Sequence, residues 1–562
     1  MDYCFGLIRK IGLKNFLRSK DLAKTFCEYL FLNGEIRQAA DLLVNLESVY
    51  PTDREVPLAL ARVYRQVGDY QNAFKCYQRS GPLHNIKDIE GFAFSAQKLK
   101  MYDTALDTYK LAFHKESTQP GLLGRYLLMS ATLCRFDDVE ELLNLAEDDG
   151  TLSSGAIDPF TAAVLIKTPS KQRSAIEAYA NKIYGKTARI YNTETPARSG
   201  VERWGFVSGE FRNHATSYLI ISLLEELTLH GIEVYLYDNG YDDGSDVRHR
   251  LSHAAKYIRN IRLLSDAHAA DLIHHDQLSA LFNLNGYFGG HRTGVFQRRP
   301  CLRQINFLGF PATMGAEFIS EIIADDTVIP FSDTPYYAES VIRLRGCCYQ
   351  PHDGRFKSHS EISTARGDHG LREGNFIYGC FNNNYKITRD VIRVWSVILN
   401  NTDRSILWLL GDNAVAQANL IVEFERHGVL PSKLVFAQRV DHLFHLERHT
   451  YMDLFLDTWP CNAHTTATDA VSEGVPLLTM TGSTFAGRVA TSIVSAAGMR
   501  DHAVTSEQAY VKFAVSAYAA WEGLRGNLQR ASLSREEMKK KFRDLRTPYT
   551  EKFVEAVKNP RA

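Results

Sequence analysis

Cys461-Asn462-Ala463-His464-Thr465-Thr466-Ala467-Thr468-Asp469 follows the short apolar run Asp453-Leu454-Phe455-Leu456-Asp457 and the turn-forming pair Trp459-Pro460. The run reads as a buried strand, and the residues leading to Gly474 as a helix. His464, Thr465 and Thr466 therefore sit where the carboxyl end of a strand becomes a helix N-terminus. Backbone N–H groups without intrahelical partners, together with the positive end of the helix dipole, favour a phosphate at such a place. Two hydroxyls and an imidazole would add donors. Read alone, the segment also fits an ordinary cap, with Thr at its start and Asp469 in the first turn.

The same alternation extends outward on both sides. Buried-strand patterns at 376–381, 405–410, 433–437, 453–456 and 476–480 alternate with amphipathic helices, and so do those at 203–207, 232–237, 280–284, 304–308 and 319–324. This grammar predicts two parallel sheets, each covered on both faces, with ligands held at the carboxyl ends of the strands in the cleft between them. A polar, turn-rich passage from Gln350 to Gly370 reads as the boundary between the lobes, and Thr193-Glu194-Thr195-Pro196-Ala197-Arg198-Ser199-Gly200 as a linker before the first.

Upstream the pattern is helical and repeats. Ala39, Ala73, Ala105 and Val139 stand 34, 32 and 34 residues apart, each followed four residues later by a bulky side chain: Leu43, Tyr77, Tyr109 and Leu143. A small residue at a helix crossing with a period near 34 is the signature of tetratricopeptide-like repeats, which make a core only by stacking. A generic helical bundle is the alternative.

The 562 residues are 45 % apolar and 23 % charged, as in ordinary globular proteins. Lys plus Arg equals Asp plus Glu at 65 each. That balance argues against a bulk binder of nucleic acid or anionic membrane. Nine scattered cysteines, with no CxxC pair and no zinc spacing, read as reduced thiols and suggest the cytoplasm. The first ten residues lack a signal-peptide pattern, and no run of about 18 apolar residues occurs, so no membrane span is expected.

The polar clusters lie just after strands. Lys386 follows Asn382-Asn383-Asn384-Tyr385 at a helix start, where the dipole disfavours a cation unless an anion such as a diphosphate compensates. His445 and Arg448, three apart, share a helical face that could clamp a nucleotide. His214 stands at the strand–helix junction Ser208–Ser217, with a side chain suited to proton transfer or sugar binding. Asp242-Asp243 reads as a turn. Neither GxGxxG nor GxxxxGK[ST] occurs, so dinucleotide and P-loop chemistry have no warrant.

Taken together, Gly205-Phe206-Val207-Ser208, Asn213-His214-Ala215-Thr216-Ser217, Asn283-Leu284-Asn285-Gly286-Tyr287, Leu308-Gly309-Phe310-Pro311, Asn382-Asn383-Asn384-Tyr385-Lys386, Phe455-Leu456-Asp457-Thr458 and Asn462-Ala463-His464-Thr465-Thr466 resemble, in order, the O-GlcNAc transferase/SPINDLY glycosyltransferases, especially bacterial members with a short repeat domain. The resemblance implies an α-helical tetratricopeptide-like solenoid (1–156), linker helices (157–200) and a GT-B glycosyltransferase of two Rossmann-like α/β lobes (201–349 and 375–562) joined by a linker (350–374). It implies inverting transfer of a sugar, GlcNAc from UDP-GlcNAc first, to Ser or Thr of a protein acceptor lying along the repeat groove, with no cofactor and no metal. GDP-fucose, UDP-glucose or an Asn acceptor on the same scaffold is the nearer alternative. A non-catalytic adaptor that senses a nucleotide sugar is the more distant one. By position, His464, Thr465 and Thr466 would hold the diphosphate and Asp469 the ribose. Lys386 would neutralise the leaving phosphate, and Asn383, His445 and Arg448 would complete the nucleotide site. His214 would shape the sugar–acceptor site, and Asp271 matches an acidic residue discussed for proton removal. Within the resemblance the chain departs from animal members at Asn383, His442, Ala215 and Tyr218 and within Ala312-Thr313-Met314-Gly315, all in the donor and acceptor region.

Overall fold

The computed structural model describes residues 2–32, 35–185, 191, 200–349, 365–523 and 528–560. Most of the linker expected at 193–200, and residues 350–364 of the inter-lobe passage, lie outside these.

Among the described residues of the N-terminal region are four helical hairpins: Lys20–Leu32 with Ile36–Val49, Glu55–Gln66 with Tyr70–Arg79, Ile86–Lys98 with Tyr102–Lys115, and Leu122–Thr132 with Phe136–Ala146. The small repeat residues Ala39, Ala73 and Ala105 are fully buried, as are Tyr77 and Tyr109 one turn later. A methyl at each crossing lets the paired helices approach closely. Val139, the larger residue at the fourth crossing, is only partly buried. The helices Pro159–Leu165 and Pro169–Ile183 follow. The first is capped by Asp158, whose carboxylate accepts from the Thr161 N–H at 3.1 Å, and both start with proline, whose missing N–H costs nothing there.

Among the described residues the first sheet has seven parallel strands: β1 (Arg203–Ser208), β2 (Glu233–Asp238), β3 (Tyr257–Asn260), β4 (Ala280–Asn283), β5 (Gln304–Asn306), β6 (Glu321–Ala324) and β7 (Ser340–Arg343), in the order β3-β2-β1-β4-β5-β6-β7. The second has six: β8 (Phe376–Cys380), β9 (Ser405–Leu410), β10 (Leu434–Ala437), β11 (Leu454–Leu456), β12 (Leu477–Met480) and β13 (Ala503–Val504), in the order β10-β9-β8-β11-β12-β13. Both sheets reverse direction of winding once, between β1 and β4 and between β8 and β11. Those switch points are where ligands bind in doubly wound sheets. All ten expected strands are present, several shorter by one or two residues. β3, β7 and β13 have no counterpart in the sequence reading. They are partly exposed edge strands, and Tyr257-Ile258-Arg259-Asn260 and Ser340-Val341-Ile342-Arg343 lack the continuous apolar run of a central strand.

Two features tie the molecule together. The third and fourth hairpins and the two helices after them share one apolar core with the first lobe, in which Ala105, Leu122, Ala163 and Ile176 join Ile261, Leu281 and Phe296. The helix Leu122–Thr132 also packs against the turn Asn384–Lys386 of the second lobe. The second is the final helix, Thr547–Lys558, which ends the segment 375–562. It crosses back to the first lobe, where Phe553 packs on Trp204, Phe282 and Phe307, the Thr550 hydroxyl donates to Glu226 at 2.6 Å, and Arg303 donates to the Val557 carbonyl at 2.8 Å.

Candidate active site

A cleft of about 700 Å³ opens between the carboxyl ends of the two sheets. Its second-lobe wall holds Asn383, Lys386, His445, Arg448, His464, Thr465, Thr466 and Asp469, and its first-lobe wall His214. Every donor-site residue expected from sequence thus lies on one surface.

Asp271 does not. It is exposed on the helix Asp266–His275, and its carboxylate accepts from the Tyr191 hydroxyl at 2.5 Å. The acidic side chain that neighbours His214 is Glu210, buried after β1, with Oε2 3.9 Å from His214 Nε2 and ion-paired to Arg212 at 2.5 Å. The sequence reading passed over Glu210, although it stands four residues before His214 in the same loop.

Lys386 ends the short turn Asn384–Lys386 after β8, ahead of the helix Arg389–Asn400 capped by Thr388. Its amine is buried and donates to the Asn462 carbonyl at 2.5 Å. Burial alone would lower its pKa, but the surroundings, Cys461, Tyr385 and Asp457, hold it above the usual lysine value. Cys461 and Tyr385 are themselves raised by burial and so uncharged near neutrality. The counter-charge that matters is Asp457, whose pKa burial pushes up to about 6.

The helix Thr465–Ser472 starts at His464, as the sequence predicts. The donor inventory of that turn differs from the expectation. His464 donates Nε2–H to the Ala486 carbonyl at 3.1 Å, and its pKa lies well below the usual value because of burial and Lys386. Neutral, it has no second proton for an anion. The Thr466 hydroxyl donates to Asn382 Oδ1 at 2.6 Å. The positive character of the turn therefore comes from its first backbone N–H groups and from Lys386.

Arg448 is likewise engaged. Its guanidinium donates to His445 Nδ1 at 2.6 Å and to the Gln438 carbonyl at 2.6 Å, and lies 4.3 Å over the Phe381 ring. This fixes the proton of His445 on Nε2, while burial keeps the imidazole neutral. Arg448 orients His445 as well as lining the cleft. Arg439, paired with Asp412, donates to Asn383 Oδ1 at 3.2 Å.

On the first lobe, His214 caps the helix Ala215–Leu229 by accepting the Thr216 N–H at Nδ1, 3.2 Å. Its ring proton must then sit on Nε2. Burial lowers its pKa despite Glu210. The loops after β4 and β5 lock together. A Cβ at Gly309 would run into the Leu284 carbonyl, and one at Gly286 into Phe310. Tyr218 of the first lobe stacks on His442 of the second, centroids 3.8 Å apart and planes 15° off parallel. Two of the positions that the family resemblance singles out as departures thus meet across the cleft. Among the described residues no three His, Cys, Asp or Glu side chains gather as metal ligands, and no helix is long and apolar enough to cross a membrane.

Comparison with known proteins places this geometry. The chain is 33 % identical over 319 residues to an Arabidopsis thaliana protein named "Probable UDP-N-acetylglucosamine--peptide N-acetylglucosaminyltransferase SEC", covering 56 % of this chain and 32 % of that one. It is 24 % identical over 475 residues to the Caenorhabditis elegans UDP-N-acetylglucosamine–peptide N-acetylglucosaminyltransferase, covering 64 % of this chain and 41 % of that one. It therefore spans well under half the length of these relatives. A mutant O-GlcNAc transferase of Thermobaculum terrenum superposes with a TM-score of 0.72 at 21 % identity, over 90 % of this chain and 96 % of that one, and shows the same fold. The model of glycosyl transferase family 41 matches residues 171–349 and 349–540, and the chain belongs to that family.

Proposed function

We propose that this chain transfers N-acetylglucosamine from UDP-GlcNAc to Ser or Thr hydroxyls of a protein, inverting the anomeric centre and needing no divalent cation. One observation carries the reading: a buried, charged lysine and the N-terminus of the helix Thr465–Ser472 converge at one end of the cleft, with Asn462 joining them. That is the arrangement a departing diphosphate requires. As the acceptor oxygen bonds to the sugar carbon, the sugar–phosphate bond breaks, its electron pair stays on UDP, and the acceptor's hydroxyl proton passes to the departing diphosphate or to water. Preorganised donors must meet that charge, and removing one commonly costs about 2.7–4 kcal/mol of barrier. Lys386 and the backbone N–H groups supply the positive character a metal would otherwise bring. Asp469, one turn into the helix, faces the ribose, and His445 and Arg448 flank the base. His214, its Nδ1 occupied by Thr216, acts as an Nε2–H donor toward sugar or acceptor and not as a base. The relatives' names, which specify UDP-N-acetylglucosamine and peptide, support the donor and acceptor classes. The acceptor enters from the side of the hairpins, past Phe160 and Phe288. Buried thiols at eight described cysteines fit a reducing compartment, and we place the protein in the cytoplasm.

The test is intact-mass analysis of lysate proteins incubated with the chain, labelled UDP-GlcNAc and EDTA. Label on Ser or Thr is expected. Loss of transfer in EDTA, or label only from another nucleotide sugar, would overturn the corresponding part.

A further inference from the structure

We propose that Asp457 is a positioning residue for the donor cradle, acting on the His464–Thr466 turn directly and through Asn382. This deepens the donor-site reading above and rests on it. Asp457, at the carboxyl end of β11, has no exposed surface and does not line the cleft, so it cannot touch a nucleotide. Yet its carboxylate gathers the parts that would. Oδ1 accepts three N–H groups: from Ala463 at 2.6 Å, from Thr458 at 2.8 Å and from the Asn382 side chain at 3.2 Å. Oδ2 accepts the Thr479 hydroxyl at 2.7 Å.

Each bond has a consequence. Ala463 precedes His464, so holding its N–H sets where the helix N-terminus points. The Asn382 amide also donates to Thr458 Oγ1 at 2.8 Å, which leaves its oxygen facing Thr466. That oxygen takes the Thr466 hydroxyl proton at 2.6 Å, fixing the side chain's rotamer. Asn462, inside the loop that Asp457 closes, donates to the Thr458 carbonyl at 2.9 Å and gives its own carbonyl to Lys386. One buried carboxylate thus sets the mutual position of the helix N-terminus and the lysine. An ionised carboxylate is costly to bury, and four donors and a nearby ammonium offset that cost.

The experiment is amide hydrogen exchange over residues 462–467 of the nucleotide-free protein, with UDP affinity measured in parallel, for wild type, Asp457→Ala and Asp457→Asn. The alanine variant is expected to exchange at least tenfold faster in that segment and to bind UDP at least tenfold more weakly. Asparagine keeps one acceptor oxygen and is expected to restore both to within about threefold, a rescue that loss of packing alone does not give. Unchanged exchange and affinity in Asp457→Ala would overturn the proposal. Faster exchange in a protein whose wild type does not bind UDP would sink the donor-site reading and leave the positioning role standing. Should Asp457→Ala fail to fold, Asn382→Ala and Thr466→Val carry the test. The double variant should lose no more UDP affinity than the worse single one, and additive losses would overturn the relay.

Discussion

The two α/β lobes share a winding order and differ in what their switch points bury. In the second lobe, Lys386, Arg448, Asp457 and Asp469 are all buried, Lys386 and Asp457 being linked through Asn462 and Thr458 and Arg448 being bonded to His445 and the Gln438 carbonyl. In the first, His214, Arg212 and Asn213 are partly or well exposed, and the loops around them are shaped by close backbone approach at Gly286 and Gly309. The same topology therefore offers a buried, charge-bearing cradle on one side and a more open wall on the other. A diphosphate has one shape and a fixed charge, so its site gains from preorganisation. A protein acceptor varies, so its site gains from access.

The contrast can be broken most directly at Lys386. Lys386→Met should lower turnover about 100- to 1,000-fold, the usual loss for one preorganised donor, while circular dichroism and melting show an intact fold. Next comes a pair of opposed variants. Asp469→Ala should weaken UDP binding about tenfold, or about 1.4 kcal/mol, by calorimetry. His214→Ala should leave UDP affinity unchanged and lower turnover about tenfold. If His214→Ala instead weakened UDP, the division between the lobes would fail. A smaller effect is expected where the walls meet. A double-mutant cycle on Tyr218→Ala and His442→Ala should show about 0.5–1.5 kcal/mol of coupling in stability, and none would mean the stack does not hold the lobes together.

How far the sequence carried the account depends on the kind of signal. Central strands announce themselves as apolar runs, and helix starts after them as Thr or Asn, so β8, β11 and the His464–Thr466 turn were legible. Edge strands such as β7 are too polar and too short to be seen. Residue types at the cradle were also legible, but their hydrogen-bond partners were not. Nothing in the spacing shows that Thr466 gives its proton to Asn382, 84 residues away, or that His464 gives its own to Ala486. Asp457 was read only as a strand end. Asp271 rested on the family resemblance alone, and it stands on the exposed face of a helix whose Ala269, Ala270 and Ile273 are buried, away from the cleft.

The least effect on the cleft, and a separate one on stability, should come from Glu339. Buried, it accepts the Thr313 hydroxyl at 2.7 Å and the Met314 N–H, tying down the loop that carries Pro311, and burial pushes its pKa from 4.5 up to about 7. The folded protein therefore keeps a proton that the unfolded chain has released. The stability this contributes is full below about pH 4.5 and is lost as pH rises through about 7. Calorimetric Tm values across that window should fall less steeply with pH in Glu339→Gln than in wild type. An identical slope would contradict the assignment.

The most direct measurement is a crystal structure of the protein grown with UDP in the presence of EDTA. The diphosphate is expected at the first backbone N–H groups of the helix Thr465–Ser472, with an oxygen within hydrogen-bonding distance of Lys386 Nζ. A diphosphate bound elsewhere, or a cradle left empty at saturating UDP, would contradict the account.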